Sequence, residues 1–296
     1  MKSIWPDLTA KIEPVHQRAL GTIGRAAAAV NADWFLTGAM ARDWVFTLIH
    51  GIDTLRATRD ADIGIALSGW NEFERVRTHI LAEGEFDPDR TQHRLNHRHV
   101  RGFHIALVPF GRLGGANAEI AWPPNQDVVM NVIGFEEAYK AAITVLADVN
   151  LPVKLASPSG LMLMKVFAWE DRKHLQPAGK DAQDIRLLLT RYETVAGRSL
   201  HDVAGLMDVV DYEADLAAAR LLGRDVADLL SAASSEVLLP ILDRELAADS
   251  TNLLIEQLSR GGQLRGSPRD EDFQKMRSLL TSFRAGLGEQ WKARDG

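Results

Sequence analysis

The sequence predicts an α+β fold, with a mixed β-sheet core over residues 1–157 followed by a helical C-terminal domain over residues 158–296. The first half carries short apolar runs rich in β-branched residues, separated by glycine, proline and polar turns, which is typical of strands. The second half repeats apolar residues at helical spacing. The segment Ser157-Pro158-Ser159-Gly160 interrupts both patterns and marks the expected boundary.

Apolar spacing and turn residues predict the elements of the first half in order. They are a helix from about 8 to 30, a strand at 34–36, a turn at Gly38 with a helix to about 49, a strand entered at Asp60, a helix over 70–84, a strand over 103–110, a short strand within 118–122, a helix over 135–144 and a strand over 151–156. Alternation in the third long strand places His104, Ala106 and Val108 on the face opposite the core.

The second half is predicted to be almost wholly helical. Residues 161–170 are apolar nearly all round, which predicts a buried helix with Lys165 inside it. Further helices over 180–192 and on to about 258 precede a glycine-rich segment, 259–269, which predicts a flexible loop. A final amphipathic helix is predicted from about 271 to 291.

Composition narrows the classes of function. The 296 residues are 46% hydrophobic and 25% charged, as in globular chains of one large or two ordinary domains. The absence of cysteine excludes disulfides, cysteine-ligated zinc and cysteine nucleophiles, and fits a cytoplasmic protein. No run of eighteen apolar residues and no charged-then-apolar leader is present, so we expect neither membrane insertion nor secretion. The net charge of −6 argues against broad coating of nucleic acid but permits a local basic groove.

Asp60 and Asp62 lie two residues apart where the chain enters an apolar, β-branched run. Residues i and i+2 of a strand point to the same face, so the two carboxylates are expected side by side. Such charges repel unless a cation lies between them. Mg²⁺ (or Mn²⁺) binds carboxylate oxygens and shares its other positions with substrate phosphates. The alternative is an edge turn whose aspartates face water.

An apolar strand upstream runs into Thr37-Gly38-Ala39 and then into a helix-forming stretch. Thr37 or Gly38 is therefore expected at a helix N-terminus, where free N–H groups favour a phosphate and glycine permits close approach. A phosphate cradle followed about twenty residues later by Asp-x-Asp resembles the DNA polymerase β-like nucleotidyltransferase superfamily. That superfamily carries Gly-Gly or Gly-Ser at the helix start, and here Ala39 replaces the second small residue.

Further motifs narrow the resemblance. They are Thr-Gly-Ala-Met-Ala-Arg-Asp (37–43), Arg-Ala-Thr-Arg-Asp-Ala-Asp (56–62), Val-Pro-Phe-Gly (108–111), Ile-Ala-Trp-Pro-Pro (120–124), Met-Asn-Val-Ile-Gly-Phe-Glu-Glu-Ala (130–138), Lys-Val-Phe-Ala-Trp-Glu-Asp-Arg (165–172) and Lys-Asp-Ala-Gln-Asp (180–184). Together they resemble the AbiEii/AbiGii-type nucleotidyltransferases, which are toxins of type IV toxin–antitoxin and abortive-infection systems and relatives without proven toxicity.

The resemblance implies transfer of a nucleotide from an NTP, with loss of pyrophosphate, to a hydroxyl of RNA (possibly a tRNA 3′ end) or of a protein. It implies a cognate antitoxin as partner, and catalytic roles for Lys165 and Asp184 beside the metal-binding Asp60 and Asp62. The nucleotide-binding residues that it implies are Thr37, Gly38, Ala39, Arg42, Arg59 and Lys165.

Several of these residues have structural alternatives. Lys165 either reaches a phosphate or extends along its methylenes to solvent. Asp181 and Asp184, one helical turn apart, either hold Lys165 or a metal, with Asp184 favoured, or form a solvated helix start. Arg42 reaches the phosphates or lies on an exposed helix face, and of Arg56 and Arg59 one is expected to pair with the carboxylates.

Seven of the twelve residues at 90–101 are arginine or histidine. A solvated hairpin face is the default interpretation of such a run. The alternative is a basic ridge that steers an RNA backbone.

Ala106 is the main departure from the family. Where relatives carry an aspartate before Pro-Phe-Gly, this chain has Ala106. The missing carboxylate normally completes a metal site and accepts the proton of the attacking hydroxyl. Its loss predicts an impaired enzyme, a different third ligand, or a catalytically inactive nucleotidyltransferase fold that binds nucleotide, RNA or a partner protein.

Overall fold

A computed structural model describes residues 5–54, 58–115, 118–175, 179–248, 251–260 and 270–295. Arg56 and residues 261–269 of the predicted loop lie outside this part of the chain. Two compact units are present, Met1–Ser157 and Pro158–Gly296. In the described residues, the first unit holds a seven-stranded mixed sheet and the second is helical, so the predicted α+β class is confirmed. None of the helices described has the length and hydropathy required to cross a membrane.

The strands of the first unit are β1 (Trp34–Thr37), β2 (Asp60–Ala66), β3 (Phe86–Pro88), β4 (Arg94–His97), β5 (His104–Phe110), β6 (Glu119–Ala121), β7 (Val129–Asn131), β8 (Ile143–Asp148) and β9 (Leu151–Leu155). The main sheet has the strand order β3-β4-β5-β2-β1-β9-β8, in which β2–β5 and β1–β9 are parallel and the other pairs antiparallel. Strands β6 and β7 form a separate hairpin. The helices are α1 (Pro14–Ala28), α2 (Gly38–Asp43), which continues as a π-helical segment over Trp44–Ile49, α3 (Trp70–Ala82) and α4 (Phe135–Lys140).

The two faces of the sheet differ in character. One face is mainly apolar, with His97 of β4 also on it, and the His16 ring of α1 lies 5.0 Å from the ring of Phe103, the residue before β5. The strand residues of this face are buried, among them Ala61, Ile63, Ile65, Ile105 and Leu107. Aromatic rings cover one end of the other face, namely Phe35, Phe110, Phe135 and Tyr139. The remaining end of that face carries the polar residues of β2, β4 and β5.

Two predicted helix boundaries are wrong. The first helix begins at Pro14 rather than near Leu8. The Leu8 N–H donates to the carbonyl of Leu146 in β8 (2.9 Å), and proline suits the first turn of a helix. The helix predicted over 135–144 ends early, since the following residues pair with β9 and form β8. Tertiary pairing overrides the local pattern at both places.

The second unit is described as helices α5 (Pro158–Arg172), α6 (Lys180–Val195), α7 (Ala214–Ala227), α8 (Ala232–Leu246), α9 (Leu253–Ser259) and α10 (Asp270–Asp295). Helix α5 is buried along most of its length, as its apolar sequence predicts. Its Trp169 indole donates to Gln257 Oε1 (2.9 Å), which ties α5 to α9. Helices α5 and α6 together carry the predicted functional residues of this unit.

Candidate functional site

Asp60 and Asp62 open strand β2 and lie on its polar face. In the parallel pairing with β5, Asp60 lies beside His104 and Asp62 beside Ala106. On its other side, Asp62 lies beside Thr37, the last residue of β1. Residues in register on neighbouring strands point to the same face. The two carboxylates therefore share a face, and Ala106 presents its methyl group next to Asp62.

Gly38 brings the turn after β1 into direct contact with Asp62. The residue has φ of +67°, and a Cβ added there would lie 1.9 Å from Asp62 Oδ2. Glycine alone has both the backbone freedom and the space for this approach. Thr37 is the buried residue before the first turn of α2, and Ala39 is a half-buried residue of that turn. The structure thus brings the predicted phosphate turn and the Asp-x-Asp strand together.

His104 is a partner of Asp60 that pattern reasoning did not assign. Its Nδ1 lies 3.0 Å from Asp60 Oδ1, and the Asp60 side chain is 47% exposed. One carboxylate oxygen of Asp60 thus faces the imidazole, which orients the group on the polar face. The pairing depends on the register between β2 and β5, so neither residue predicts it from its own sequence context.

Arg42 is buried rather than exposed on a helix face, which rules out that alternative. Its guanidinium donates to Asp43 Oδ1 from Nε (2.9 Å) and Nη2 (2.5 Å). The same oxygen accepts from Thr54 Oγ1 (2.7 Å), so the pair anchors the approach to β2. Arg59 is exposed and donates from Nη1 to the carbonyl of Arg101 (3.5 Å).

In the second unit, Lys165 on α5 is held by two carboxylates of α6. Its Nζ lies 2.5 Å from Asp184 Oδ2 and 3.3 Å from Asp181 Oδ1. The Lys165 side chain is 13% exposed and that of Asp184 4%, so the lysine does not extend to solvent. Arg172 donates to both oxygens of Asp181. Asp184 is therefore the closer partner of Lys165, as favoured from the sequence.

The run at 90–101 is not a uniformly solvated face. His97 on β4 is only 7% exposed and packs against the rings of Phe86 and Phe103. Its Nδ1 accepts from the backbone N–H groups of His99 and Val100 (3.1 Å each). Burial lowers the pKa of His97 below its ordinary 6.5. This histidine is thus a neutral residue that shapes the turn after β4.

The residues on the polar face partly fit a divalent cation. Asp60 and Asp62 supply the hard oxygen ligands that Mg²⁺ or Mn²⁺ prefers, but position 106 adds only a methyl group. Across the residues that the structure describes, no three or more His, Asp or Glu side chains are grouped so as to hold a metal ion. Two carboxylates suit an ion whose remaining positions are filled by substrate phosphates and water.

Comparison with protein families gives a match across most of the chain. A family model described as "Nucleotidyl transferase AbiEii toxin, Type IV TA system" matches residues 22–283. No curated protein matches the chain at a significant level.

Solved structures show only distant likeness. The antibiotic-resistance factor ANT(2'')-Ia is 13% identical, with 62% of this chain and 89% of that chain covered and a TM-score of 0.37. An antigenic nucleotidyltransferase-like protein from Paracoccidioides brasiliensis is 16% identical, with 68% and 91% covered and a TM-score of 0.39. The Thermotoga maritima CCA-adding enzyme complexed with tRNA is 12% identical, with 97% and 84% covered and a TM-score of 0.27. Similarity at this level bears on neither the activity nor the substrate of this chain.

Proposed function

The chain belongs to the AbiEii family of nucleotidyl transferases of type IV toxin–antitoxin systems, and from that membership we propose a metal-dependent transfer of a nucleotide from an NTP to a hydroxyl of RNA or protein. The observation that carries the proposal is the contact of Gly38 with the carboxylate of Asp62. It joins a turn suited to phosphate with a pair of carboxylates suited to Mg²⁺ or Mn²⁺.

In this proposal, Asp60 and Asp62 hold the cation, which when bound stabilises charge on the attacking and leaving oxygens. The backbone at Thr37, Gly38 and Ala39 approaches the triphosphate. Arg42 keeps its buried bonds to Asp43 and so fixes the helix that follows the turn. The side chain of Asp60 is oriented by His104.

Lys165 and Asp184 enter the proposal through family membership. Lys165 is proposed to contact a phosphate, and its amino group carries three donors, of which the carboxylates of Asp184 and Asp181 engage part. Asp184 then positions the ammonium group. Arg59 is exposed beside β2 and is proposed to contact the nucleotide from outside the sheet.

Ala106 is proposed to slow the reaction. A positioned base or metal ligand typically contributes about 10²–10⁴ in rate, and the methyl group beside Asp62 supplies neither role. The same observation favours a second candidate, a nucleotidyl transferase fold without catalysis that binds nucleotide, RNA or a partner protein. In either case, family membership supports a cognate antitoxin as partner and the cytoplasm as the site of action.

Crystals soaked with an NTP and Mg²⁺ test the site. We expect density for metal between Asp60 and Asp62 and for phosphate at Gly38. Calorimetry with Asp62→Asn, which removes the charge but keeps the shape, should show weaker NTP binding. Binding that is unchanged in Asp62→Asn would contradict the assignment of this face as the nucleotide site.

A further inference from the structure

Arg94 lies in the same row of the sheet as Asp62 and Ala106. It opens β4, and in the antiparallel pairing with β5 it lies beside Ala106, which in turn lies beside Asp62. Residues in register share a face, so the Arg94 side chain projects from the polar face. Its position is two strand spacings, roughly 10 Å, from Asp62. Thr37 and the Gly38 turn lie on the opposite side of Asp62.

The guanidinium of Arg94 is only partly satisfied by the protein. Its Nε is buried and has no hydrogen-bond partner in the described part of the chain. Asp89, whose backbone N–H donates to the Arg94 carbonyl (3.2 Å), has its own side-chain bonds: Oδ1 accepts from Thr91 and Oδ2 from Asn96. These bonds, above all that from the Thr91 N–H, lower the pKa of Asp89 to about 2, and the Arg94 charge is the smallest contribution. A buried guanidinium N–H without an acceptor is unfavourable, so an anion bound here is stabilised.

Ala106 determines whether the charge of Arg94 is available. A carboxylate at position 106 would stand directly beside Arg94, with Cβ atoms about 5 Å apart, and would pair with it. The methyl group leaves the guanidinium without an acid between it and Asp62. Arginine also matches phosphate geometry with two parallel donors.

We propose that Arg94 binds a phosphate group of the substrate on the side of Asp62 away from Gly38, and that Ala106 keeps its charge free to do so. The phosphate belongs either to the NTP or to the phosphodiester chain of an RNA acceptor. The proposal rests on the proposed nucleotidyl transfer at this face. In this proposal, Ala106 is a neutral spacer between the metal-binding pair Asp60 and Asp62 and the anion-binding Arg94.

Calorimetry on the full chain with Mg²⁺ tests this assignment. The two ligands are a non-hydrolysable ATP analogue and a four-nucleotide oligoribonucleotide without terminal phosphates. The variants are Arg94→Gln and Arg94→Lys. The matched control is Arg75→Gln, which also removes one positive charge but lies on α3, where Arg75 Nη2 donates to the Ala29 carbonyl at the end of α1.

Arg94→Gln is expected to weaken the binding of one of the two ligands about ten- to a hundredfold. The affinities of the control variant should stay within about twofold of those of the parent. Weaker binding of the ATP analogue would identify the triphosphate as the group that Arg94 contacts. Weaker binding of the oligoribonucleotide alone would identify the phosphodiester chain. The slope of log Kd against log salt should fall by about one for that ligand in Arg94→Gln and stay unchanged in Arg94→Lys, which a structural role would not produce.

If Arg94→Gln binds both ligands within twofold of the parent, the inference about Arg94 is overturned, whereas the proposed function is not. If Arg94→Gln does not fold, Arg94→Lys decides. It keeps the charge but loses the paired donors, so several-fold weaker binding supports the inference and unchanged affinity overturns it. A parent chain that binds neither ligand would overturn both this inference and the proposed function.

Discussion

Replacing Gly38 with alanine is predicted to displace the Asp62 carboxylate. The added Cβ would lie 1.9 Å from Asp62 Oδ2, so the oxygen must move by about 1.5 Å to reach an ordinary contact of 3.4 Å. Rotation of the side chain does not suffice, because Asp62 Cβ itself would lie at 2.9 Å. Strands β1 and β2 must therefore shift locally. A displacement of about 1 Å in a reacting group can cost about 10² in rate.

Gly51 supplies the matched control. It has φ of +70°, and a Cβ added there meets nothing within 4 Å. Both alanine variants therefore incur the cost of a left-handed backbone, about 1–2 kcal/mol, but only Gly38→Ala moves a carboxylate. Urea denaturation measures the shared cost, and labelled-nucleotide transfer measures the difference. We expect Gly51→Ala to transfer like the parent and Gly38→Ala about a hundredfold more slowly. Equal transfer by the two variants would refute the proposed role of this contact.

Three further predictions follow from the same contacts. Lys165→Ala removes the ammonium group that lies 2.5 Å from the buried carboxylate of Asp184 and should lower the free energy of unfolding by about 3–5 kcal/mol. The double variant Lys165→Ala/Asp184→Ala should lose less stability than the sum of the two single variants. Ala106→Asp should raise the rate of nucleotide transfer at saturating NTP by about 10²–10⁴, although its pairing with Arg94 should weaken binding of the phosphate that Arg94 contacts, and the gain in rate should vanish in Ala106→Asp/Asp60→Ala. His97 has a lowered pKa in the fold, so the unfolded chain binds its proton more readily and stability should fall as pH drops below about 6.5; in His97→Gln the melting temperature should depend less on pH between about 5 and 7.

Each of these has a clear contrary outcome. Strictly additive losses for Lys165 and Asp184 would mean that their ion pair contributes nothing to the fold. A gain from Ala106→Asp that persists without Asp60 would place the reaction elsewhere. If the melting temperature of His97→Gln depends on pH as steeply as that of the parent, the pH dependence belongs to other groups. Candidates are His16 and His93, whose pKa values are also lowered by burial.

The local parts of the site could be predicted from the sequence. A strand that leads into the turn at Thr37-Gly38 and a second strand entered at Asp60 are recognisable because their apolar runs and turn residues lie close together in sequence. Alternation along β5 likewise places Ala106 on the polar face. These features can be predicted because they depend only on the two-residue repeat of side chains along a single strand.

The non-local parts could not be predicted in this way. The pairs Asp60–His104 and Ala106–Arg94 depend on the register among β2, β5 and β4, which joins residues far apart in the chain. The helix predicted over 135–144 extends into the first two residues of β8, and only the pairing of β8 with β9 ends it earlier. Tertiary context decides such segments.

The role of this face in catalysis can be measured as transfer of label from each NTP to total RNA and total protein. The parent chain is compared with Asp62→Asn in the presence of Mg²⁺. We expect slow transfer by the parent above a protein-free blank, and none by Asp62→Asn, which removes the charge beside Gly38 while keeping the shape of the side chain. Transfer that continues undiminished in Asp62→Asn would contradict the claim that this face of the sheet carries out the reaction.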